Sequence, residues 1–260
     1  MTNLMFLSDY MQEFSEDYIL IGGNACALHF ESLGANFRAT VDLDVVLIVE
    51  GESEGFFKHL NDYLLQHNYV GKSYKGSNQG GSAYRFTLPE EDRTSGCPVQ
   101  IELFSRKPDY YDVSKCRPGK EHIVPIETAD GISNFSAILL DDSVYDFIKS
   151  SRINLKGVST VTLECLLGLK SVAWHSNQDL FDNGKIKQYE TVLKHPADMI
   201  NIVSVIDPTE SIYPEIIFDS LQVSYSKFLS GELTQHIPIE RELMNTAADF
   251  INNYVKKQIF

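Results

Sequence analysis

Apolar residues in the first hundred positions alternate between helical and strand-like spacing. Over residues 3–16 they recur at helical spacing, whereas the runs at 17–21 and 42–49 are short and continuous, as in buried strands. Residues 24–34 are expected to form a helix that ends at Gly34. The other elements predicted in this part are a helix at 53–67, strands at 84–88 and 99–104, and two short strands within 121–140. Together they predict a small mixed β-sheet flanked by helices.

Beyond about Asp141 the apolar positions follow mainly helical spacing. The helices predicted there cover residues 142–150, 160–175, 185–206, 211–230 and 238–257. The expected fold class is therefore α+β, with a mixed-sheet domain at residues 1–140 and a mainly helical part at 141–260. No stretch rich in proline and glycine marks a linker between them, whereas the glycine-rich residues 75–82 are predicted to be a loop.

Length and composition are typical of a globular protein that binds no membrane. The 260 residues are 43% hydrophobic, which is ample for a core, and no stretch approaches the roughly 18–20 apolar residues that a membrane span needs. The sequence starts without a basic region followed by a long apolar run, so no secretory signal is expected. The four cysteines have no Cys-x-x-Cys spacing, which favours a reducing cytoplasm over a disulfide framework or a zinc site.

The net charge of −14 opposes nonspecific attraction to nucleic acid. Local contact with RNA phosphates stays open, because two groups of basic residues occur along the chain; solvated surface side chains are the alternative. The two groups are Lys115, Arg117 and Lys120, and Lys185, Lys187 and Lys194. An acidic protein is also suited to handling anions through a bound metal ion.

Two aspartates open the strand predicted at 42–49. Side chains two residues apart on a strand point to the same face, so Asp42 and Asp44 present their carboxylates side by side while Leu43 points the other way. Carboxylates this close repel each other and need a counter-charge if they are shielded from water. Mg²⁺ prefers such oxygen ligands and is completed by substrate phosphates. The pattern indicates a metal–nucleotide site, with two solvated aspartates at an exposed strand edge as the alternative.

A glycine pair stands upstream, where the first predicted strand meets the helix at 24–34. Gly22 and Gly23 let a phosphate approach the backbone, and the N-terminus of the following helix offers free N–H groups. Asn24 is expected to cap that helix. Because one helix joins the two strands, the glycine turn and the two aspartates are predicted to face each other.

Glu102 is a candidate third carboxylate. In the strand predicted at 99–104, the odd-numbered residues are apolar and share one face, which leaves Glu102 on the other. A carboxylate in an apolar strand needs a partner, and a metal ion is one. A salt bridge to Arg85 or Arg106 is the alternative.

Two segments, Gly22-Gly23-Asn24-Ala25 and Arg38-Ala39-Thr40-Val41-Asp42-Leu43-Asp44, belong together as a motif. They resemble the signature of the nucleotidyltransferase superfamily with the polymerase-beta-like fold. More narrowly, because Arg38 and Thr40 are also present, the motif resembles that of the group that includes the AbiEii-type toxins of bacterial toxin–antitoxin systems. Asn24 departs from the serine or threonine that usually follows the glycines in those toxins.

Two later segments resemble helices of the same group more loosely. Residues 163–170 end in Lys170, and residues 194–200 contain Asp198 but depart from the lysine–aspartate pair of the group. The resemblance implies that Lys170 reaches the triphosphate and that Asp198 orients a basic group or the base. A solvated lysine and an exposed helical acid are the alternatives.

The resemblance as a whole implies a cytoplasmic nucleotidyltransferase that depends on Mg²⁺, or on Mn²⁺. Asp42 and Asp44 would hold two metal ions, which orient the NTP and activate the acceptor hydroxyl, while Glu102 would deprotonate that hydroxyl or help hold the metal. The residues expected to bind the nucleotide, for which ATP is one candidate, are Gly22, Gly23, Asn24, Arg38, Lys170 and Asp198. For Arg38 a structural role in the loop before the aspartates is the alternative. The helical part would complete the nucleotide and acceptor cleft.

Three functions remain open at this stage. In the first, the enzyme acts on RNA, for instance a tRNA 3′ end, in a toxin-like role with a partner antitoxin. In the second, its acceptor is a small molecule or a protein side chain. In the third, the chain is a catalytically silent binding module with this fold. The resemblance to AbiEii-type toxins favours the first, and the acidic net charge favours the second. The intact Asp-x-Asp argues against the third, because a silent copy has no need to keep two repelling carboxylates.

Overall fold

The computed structural model describes residues 6–48, 50, 55–73, 83–93, 97–108, 123–126, 135–236 and 238–259. The chain divides into two compact units, Met1–Val161 and Thr162–Phe260. The first is built on a mixed sheet and the second mainly on helices, so the predicted α+β class is confirmed. The sequence-based division at 140/141 stays a prediction. The loop predicted at 75–82 and the first basic group, Lys115 to Lys120, lie outside the described residues.

Nine strands of the described residues form the sheet of the first unit. They are β1 Tyr18–Ile21, β2 Asp42–Leu47, β3 Val70–Ser73, β4 Ala83–Thr87, β5 Gln100–Ser105, β6 Ile123–Pro125, β7 Ser136–Leu139, β8 Arg152–Leu155 and β9 Val158–Val161. The sheet runs in the order β3-β4-β5-β2-β1-β9-β8, and β7 pairs with both β5 and β6. In this order β2 lies between β1, to which it is antiparallel, and β5, to which it is parallel.

The core of this unit determines where the aspartates come to lie. Strand β1 is buried along its whole length, as its continuous apolar run predicts. At the start of β2, Leu43 is fully buried while Asp42 and Asp44 are only half-buried, and the strand becomes wholly buried from Val45 to Leu47. The two carboxylates therefore occupy the end of β2 where the strand emerges from the core.

The helices of the first unit are α1 Gly22–Ser32, α2 Phe56–Gln66 and α3 Asp142–Ser150. The predicted helix at 3–16 is replaced, where the chain is described, by a π-helical turn at Phe6–Tyr10 and a 3-10 turn at Gln12–Phe14. The change of winding brings the ring of Tyr10 onto His59 of α2, with 4.1 Å between the ring centres. Packing against α2 thus accompanies the irregular winding of this segment, whereas the apolar spacing alone predicts a regular helix.

Strands β8 and β9 form a hairpin that the sequence pattern did not predict. Lys156 and Gly157 turn the chain with φ angles of 52° and 83°, and the mostly β-branched, fully buried strand Val158–Val161 follows. The helix predicted at 160–175 begins later, because Thr162 caps its N-terminus by accepting a hydrogen bond from the backbone N–H of Cys165.

Beside a 3-10 turn at Glu232–Gln235, the second unit contains four α-helices and a short pair of strands among its described residues. They are α4 Leu163–Asp182, α5 Glu190–Val203, α6 Glu215–Ser230 and α7 Arg241–Tyr254, with the parallel strands β10 Ser211–Tyr213 and β11 Val255–Lys257. The helices predicted at 211–230 and 238–257 each lose a turn to these strands. For β10 the reason is local, because Pro214 disfavours helical backbone at Tyr213.

Among the described segments, none of the helices combines the length and the apolar character that crossing a bilayer requires.

Gly168 marks a close approach of α4 and α6, and its replacement tests this packing. A Cβ at Gly168 would lie 2.5 Å from Cγ2 of Ile217 and 3.1 Å from Cε1 of Tyr213. We expect Gly168→Val to lower the free energy of unfolding by about 1–3 kcal/mol through overpacking, which thermal unfolding would record as a lower Tm.

Ser176→Val is the matched control for this variant, since Ser176 is exposed on the same helix. Its free energy of unfolding should change by no more than about 0.5 kcal/mol. Similar losses in the two variants would contradict tight packing at Gly168.

Candidate functional site

Three neighbouring strands bring Asp44 and Glu102 to the same level of the sheet. The antiparallel register of β1 and β2 sets Ile21 opposite Asp44, and the parallel register of β2 and β5 sets Asp44 opposite Glu102. Residues directly opposite each other on neighbouring strands point to the same face. Asp44 and Glu102 are therefore side by side, and Asp42 lies on the same face two residues earlier along β2.

Helix α1 begins directly after β1, and its first residue lies against Asp44. The φ of Gly22 is +75°, which residues with a side chain rarely adopt, and any Cβ there would overlap Oδ2 of Asp44. The carboxylate of Asp44 thus lies beside the N-terminus of α1, where the helix dipole and the N–H groups of the first turn favour negative charge. The glycine turn and one of the aspartates are in direct contact.

The first turn of α1 is also tied to the start of β2. Asn24 is buried, and its Nδ2 donates a hydrogen bond of 2.7 Å to the carbonyl oxygen of Asp42. A Cβ at Gly23 would come within 2.6 Å of Oγ1 of Thr40, so these two residues are in close contact as well. Because α1 begins before Asn24, with Ile21 as its N-cap residue and no capping side chain, the expected capping role of Asn24 is replaced by this link to β2.

Glu102 is held by an arginine on the neighbouring strand β4. Arg85 is the direct partner of Glu102 across β4 and β5, and two nitrogens of its guanidinium group contact Oε1 of the glutamate. The side chains are 35% and 14% exposed, so the ion pair is partly shielded from water. Of the two salt bridges considered from the sequence, the structure forms the one to Arg85, whereas Arg106 forms its salt bridge with Glu50 at 3.1 Å.

The donor atoms suit a hard divalent cation at the two aspartates. Asp42 and Asp44 offer carboxylate oxygens from one face of one strand, and Mg²⁺ and Mn²⁺ prefer such ligands. Across the described ranges, no group of three or more His, Cys, Asp or Glu side chains is placed so that it could hold a metal ion. Glu102 is engaged with Arg85 instead. A cation at Asp42 and Asp44 therefore fits these ligands. Glu102 could act as a third ligand only if it left its salt bridge with Arg85.

Arg38 lies in the coil that leads to β2. It is half-buried, and its guanidinium carbon lies 5.6 Å from the centre of the Phe37 ring. This contact suits the structural role considered for Arg38, and its contact with a phosphate stays a prediction.

Lys170 and Asp198 form a buried ion pair within the second unit. Nζ of Lys170 on α4 lies 2.7 Å from Oδ2 of Asp198 on α5, and the two side chains are 6% and 0% exposed. Charges buried this deeply are tolerated only when they are paired. Asp198 is thus paired with the ammonium group of Lys170, and its role toward a nucleotide stays a prediction. A contact between Lys170 and a triphosphate stays a prediction, because its ammonium is committed to Asp198 here.

Arg85 is the residue that sequence reasoning undervalued. From the sequence Arg85 is only an alternative salt-bridge partner of Glu102, because a single arginine in a strand belongs to no motif. The usable signal is the alternation that follows it, since Phe86 and Leu88 are apolar and buried on one face while Arg85 and Thr87 are polar and half-buried on the other. An arginine on the polar face of a strand is a natural partner for a carboxylate on the next strand.

Comparisons with known proteins assign no family to the chain. No protein-family model matches the sequence. No curated protein matches it either. Among solved structures, the chain is similar to the polyadenylate synthase of Megavirus at 12% sequence identity and a TM-score of 0.32, over 96% of this chain and 48% of that one. The chain spans about half the length of that protein, and a likeness this remote assigns neither family nor activity.

Replacement of Gly22 by alanine tests the contact with Asp44. Gly22→Ala combines a φ of +75° with overlap on Oδ2 of Asp44, so we expect the free energy of unfolding to fall by about 2–4 kcal/mol. Gly34→Ala is the matched control, because Gly34 has a φ of +70° with nothing within 4 Å of its Cβ position. Its loss should be only the backbone cost of about 1–2 kcal/mol. Equal losses in urea unfolding would contradict the close approach of Asp44.

Single and double variants of Lys170 and Asp198 test whether the two buried charges stabilise the fold only as a pair. Lys170→Met leaves the carboxylate of Asp198 buried beside an apolar side chain, and we expect it to cost about 3–5 kcal/mol of unfolding free energy. Lys170→Met/Asp198→Leu removes both charges and should regain most of that loss. Urea unfolding of the two variants measures the difference. A double variant as unstable as the single one would contradict pairing as the reason for the burial of Lys170.

Proposed function

We propose that this chain is a metal-dependent nucleotidyltransferase, which moves a nucleoside monophosphate from an NTP to a hydroxyl acceptor. The observation that carries the proposal is the junction of β1, α1 and β2, where Asp44 lies against Gly22 and beside Glu102 while Asn24 binds the backbone of Asp42. A helix N-terminus suited to phosphate thereby stands next to carboxylates suited to a divalent cation.

The residues of the junction have different tasks in this proposal. Asp42 and Asp44 would hold Mg²⁺ or Mn²⁺, and a bound ion would supply positive charge at the triphosphate and lower the pKa of the acceptor hydroxyl. Gly22 and Gly23 let Asp44 and Thr40 approach the start of α1 closely. The backbone N–H groups of that first turn would bind a phosphate. Asn24 keeps α1 and β2 together through its bond to Asp42, so its task is to hold the geometry of the site.

In the transfer, the acceptor oxygen forms a bond to the α-phosphorus as the bond from that phosphorus to the diphosphate oxygen breaks. Pyrophosphate leaves with the bonding electron pair, and the acceptor proton passes to a base, for which Glu102 is the candidate. The protein contributes mainly position and charge stabilisation, as in other phosphoryl-type transfers.

Two classes of acceptor are considered, RNA on one side and a small molecule or a protein side chain on the other. The resemblance to AbiEii-type toxins supports RNA, such as a tRNA 3′ end, and a partner antitoxin. The net charge of −14 supports a small molecule or a protein side chain, because an acidic surface repels a polyanion. Incubation with labelled NTP and either RNA, protein or hydroxylated small molecules separates these acceptors.

A catalytically silent binding module with the nucleotidyltransferase fold is the second candidate. The observation that favours it is the ion pair between Glu102 and Arg85, which withholds the third carboxylate from a metal ion. A silent module would bind a partner, for instance an antitoxin, and transfer nothing to any acceptor.

Ligand-dependent thermal unfolding tests the nucleotide site directly. Each NTP with Mg²⁺ should raise the Tm of the wild type, because a ligand at 100 times its Kd stabilises by about 2.7 kcal/mol. The rise should vanish in Asp42→Asn/Asp44→Asn, which lacks the carboxylates for the metal.

Asp62→Asn/Asp146→Asn is the charge-matched control, since both aspartates are exposed on helices of the first unit. It should keep the full Mg²⁺-dependent rise in Tm. A rise that survives in Asp42→Asn/Asp44→Asn, or the absence of any rise in the wild type, would contradict the proposed nucleotide site.

A further inference from the structure

A positive charge stands in the same row of the sheet as the acidic residues of the candidate site. Direct cross-strand partners run from Ile21 on β1 to Asp44, then to Glu102 and to Arg85 on β4. Direct partners share a face. The two carboxylates and the guanidinium group therefore lie side by side, with Glu102 between Asp44 and Arg85.

The contact between Arg85 and Glu102 is better shielded from water than an ordinary surface pair. Two guanidinium nitrogens contact Oε1 of Glu102, and the glutamate side chain is only 14% exposed. Both nitrogens of the planar guanidinium group reach the same oxygen, so the contact holds Oε1 of Glu102 on the side of β4. Partial burial also reduces screening by salt. Arg85 thus determines which way Glu102 faces.

We propose that Arg85 competes with the divalent cation for Glu102 and so sets the metal affinity of the site. The inference rests on the proposed function, since it takes Asp42 and Asp44 as the metal-binding pair. With no cation bound, Arg85 neutralises Glu102 and limits the repulsion between Glu102 and Asp44. A cation beside Asp44 attracts the same glutamate, so metal binding and the salt bridge oppose each other.

The formal charges of this row, taken together with Asp42 on the same face, support one resident cation. Asp42, Asp44, Glu102 and Arg85 together carry a formal charge of −2, which one divalent cation cancels. A second cation would leave an excess of positive charge unless the triphosphate brings its own negative charge. The inference therefore assigns one metal ion to the protein itself, whereas the family resemblance implies two in the working site. Arg85 is a positioning residue here, because it acts through Glu102.

Mn²⁺ binding to the full chain, measured by isothermal titration or by the electron spin resonance of free Mn²⁺, tests the competition. Arg85→Gln frees Glu102 for the cation, so it should tighten Mn²⁺ binding roughly five- to tenfold. Arg85→Lys keeps the charge but loses the planar double contact, so its affinity should lie between those of the wild type and Arg85→Gln. Unchanged or weaker binding in Arg85→Gln would overturn the proposal.

A Glu102→Gln background separates competition for the carboxylate from general charge repulsion. If Arg85 acts through Glu102, Arg85→Gln should change the Mn²⁺ affinity of Glu102→Gln by less than about twofold. The same tightening in both backgrounds would overturn the proposal, because Arg85 would then act by its charge alone.

Failure of the proposed function is distinguishable in the same experiment. Equal Mn²⁺ binding, or none, in the wild type and in Asp42→Asn/Asp44→Asn overturns the metal site and the competition together. Binding that Asp42→Asn/Asp44→Asn abolishes, with no effect of Arg85→Gln, overturns the competition alone. Circular dichroism confirms that each variant is folded, and Arg85→Lys carries the comparison if Arg85→Gln is not.

Discussion

The geometry of the candidate site depends on how closely a carboxylate can approach the start of a helix. Asp44 reaches α1 because Gly22 has no side chain and accepts a positive φ, and because the register of β1 and β2 points the carboxylate toward that turn. A shift of one residue in that register would send Asp44 to the opposite face. The neighbouring contacts follow, since the same register brings Asn24 within reach of the Asp42 carbonyl and sets Glu102 beside Asp44.

Elements whose own pattern determines them were predictable from the sequence. Strand β1 is a continuous buried run, and α3 has an aspartate cap at Asp141 and apolar residues at helical spacing. The hairpin of β8 and β9 was not predicted, because a short β-branched run next to a long helix has no distinctive period of its own. Val158–Val161 is a strand because it pairs with β1 and β8, and one of these partners lies far away in the sequence.

Some features of the candidate site were likewise predictable from the sequence, and others depend on strand and helix pairing. The shared face of Asp42 and Asp44 follows from the two-residue period of a strand, which the sequence displays. The position of Glu102 beside Asp44 depends on strand order, and its capture by Arg85 depends on a second strand pairing. The pairing of Lys170 with a buried acid depends on how α4 and α5 pack together. A motif shows which chemistry a chain offers, whereas the pairing of its elements determines which charges meet.

Strand β1 receives its second neighbour from a distant part of the chain. Thr160 of β9 pairs with Leu20, and its hydroxyl donates a hydrogen bond of 2.9 Å to the Leu20 carbonyl across 140 positions. Such distant pairings form slowly, because closing a long loop costs entropy. During synthesis on the ribosome, the strand that leads into the glycine turn therefore keeps one open edge until the β8–β9 hairpin has emerged. A nascent chain that carries the whole acidic motif is still without the strand that completes its sheet.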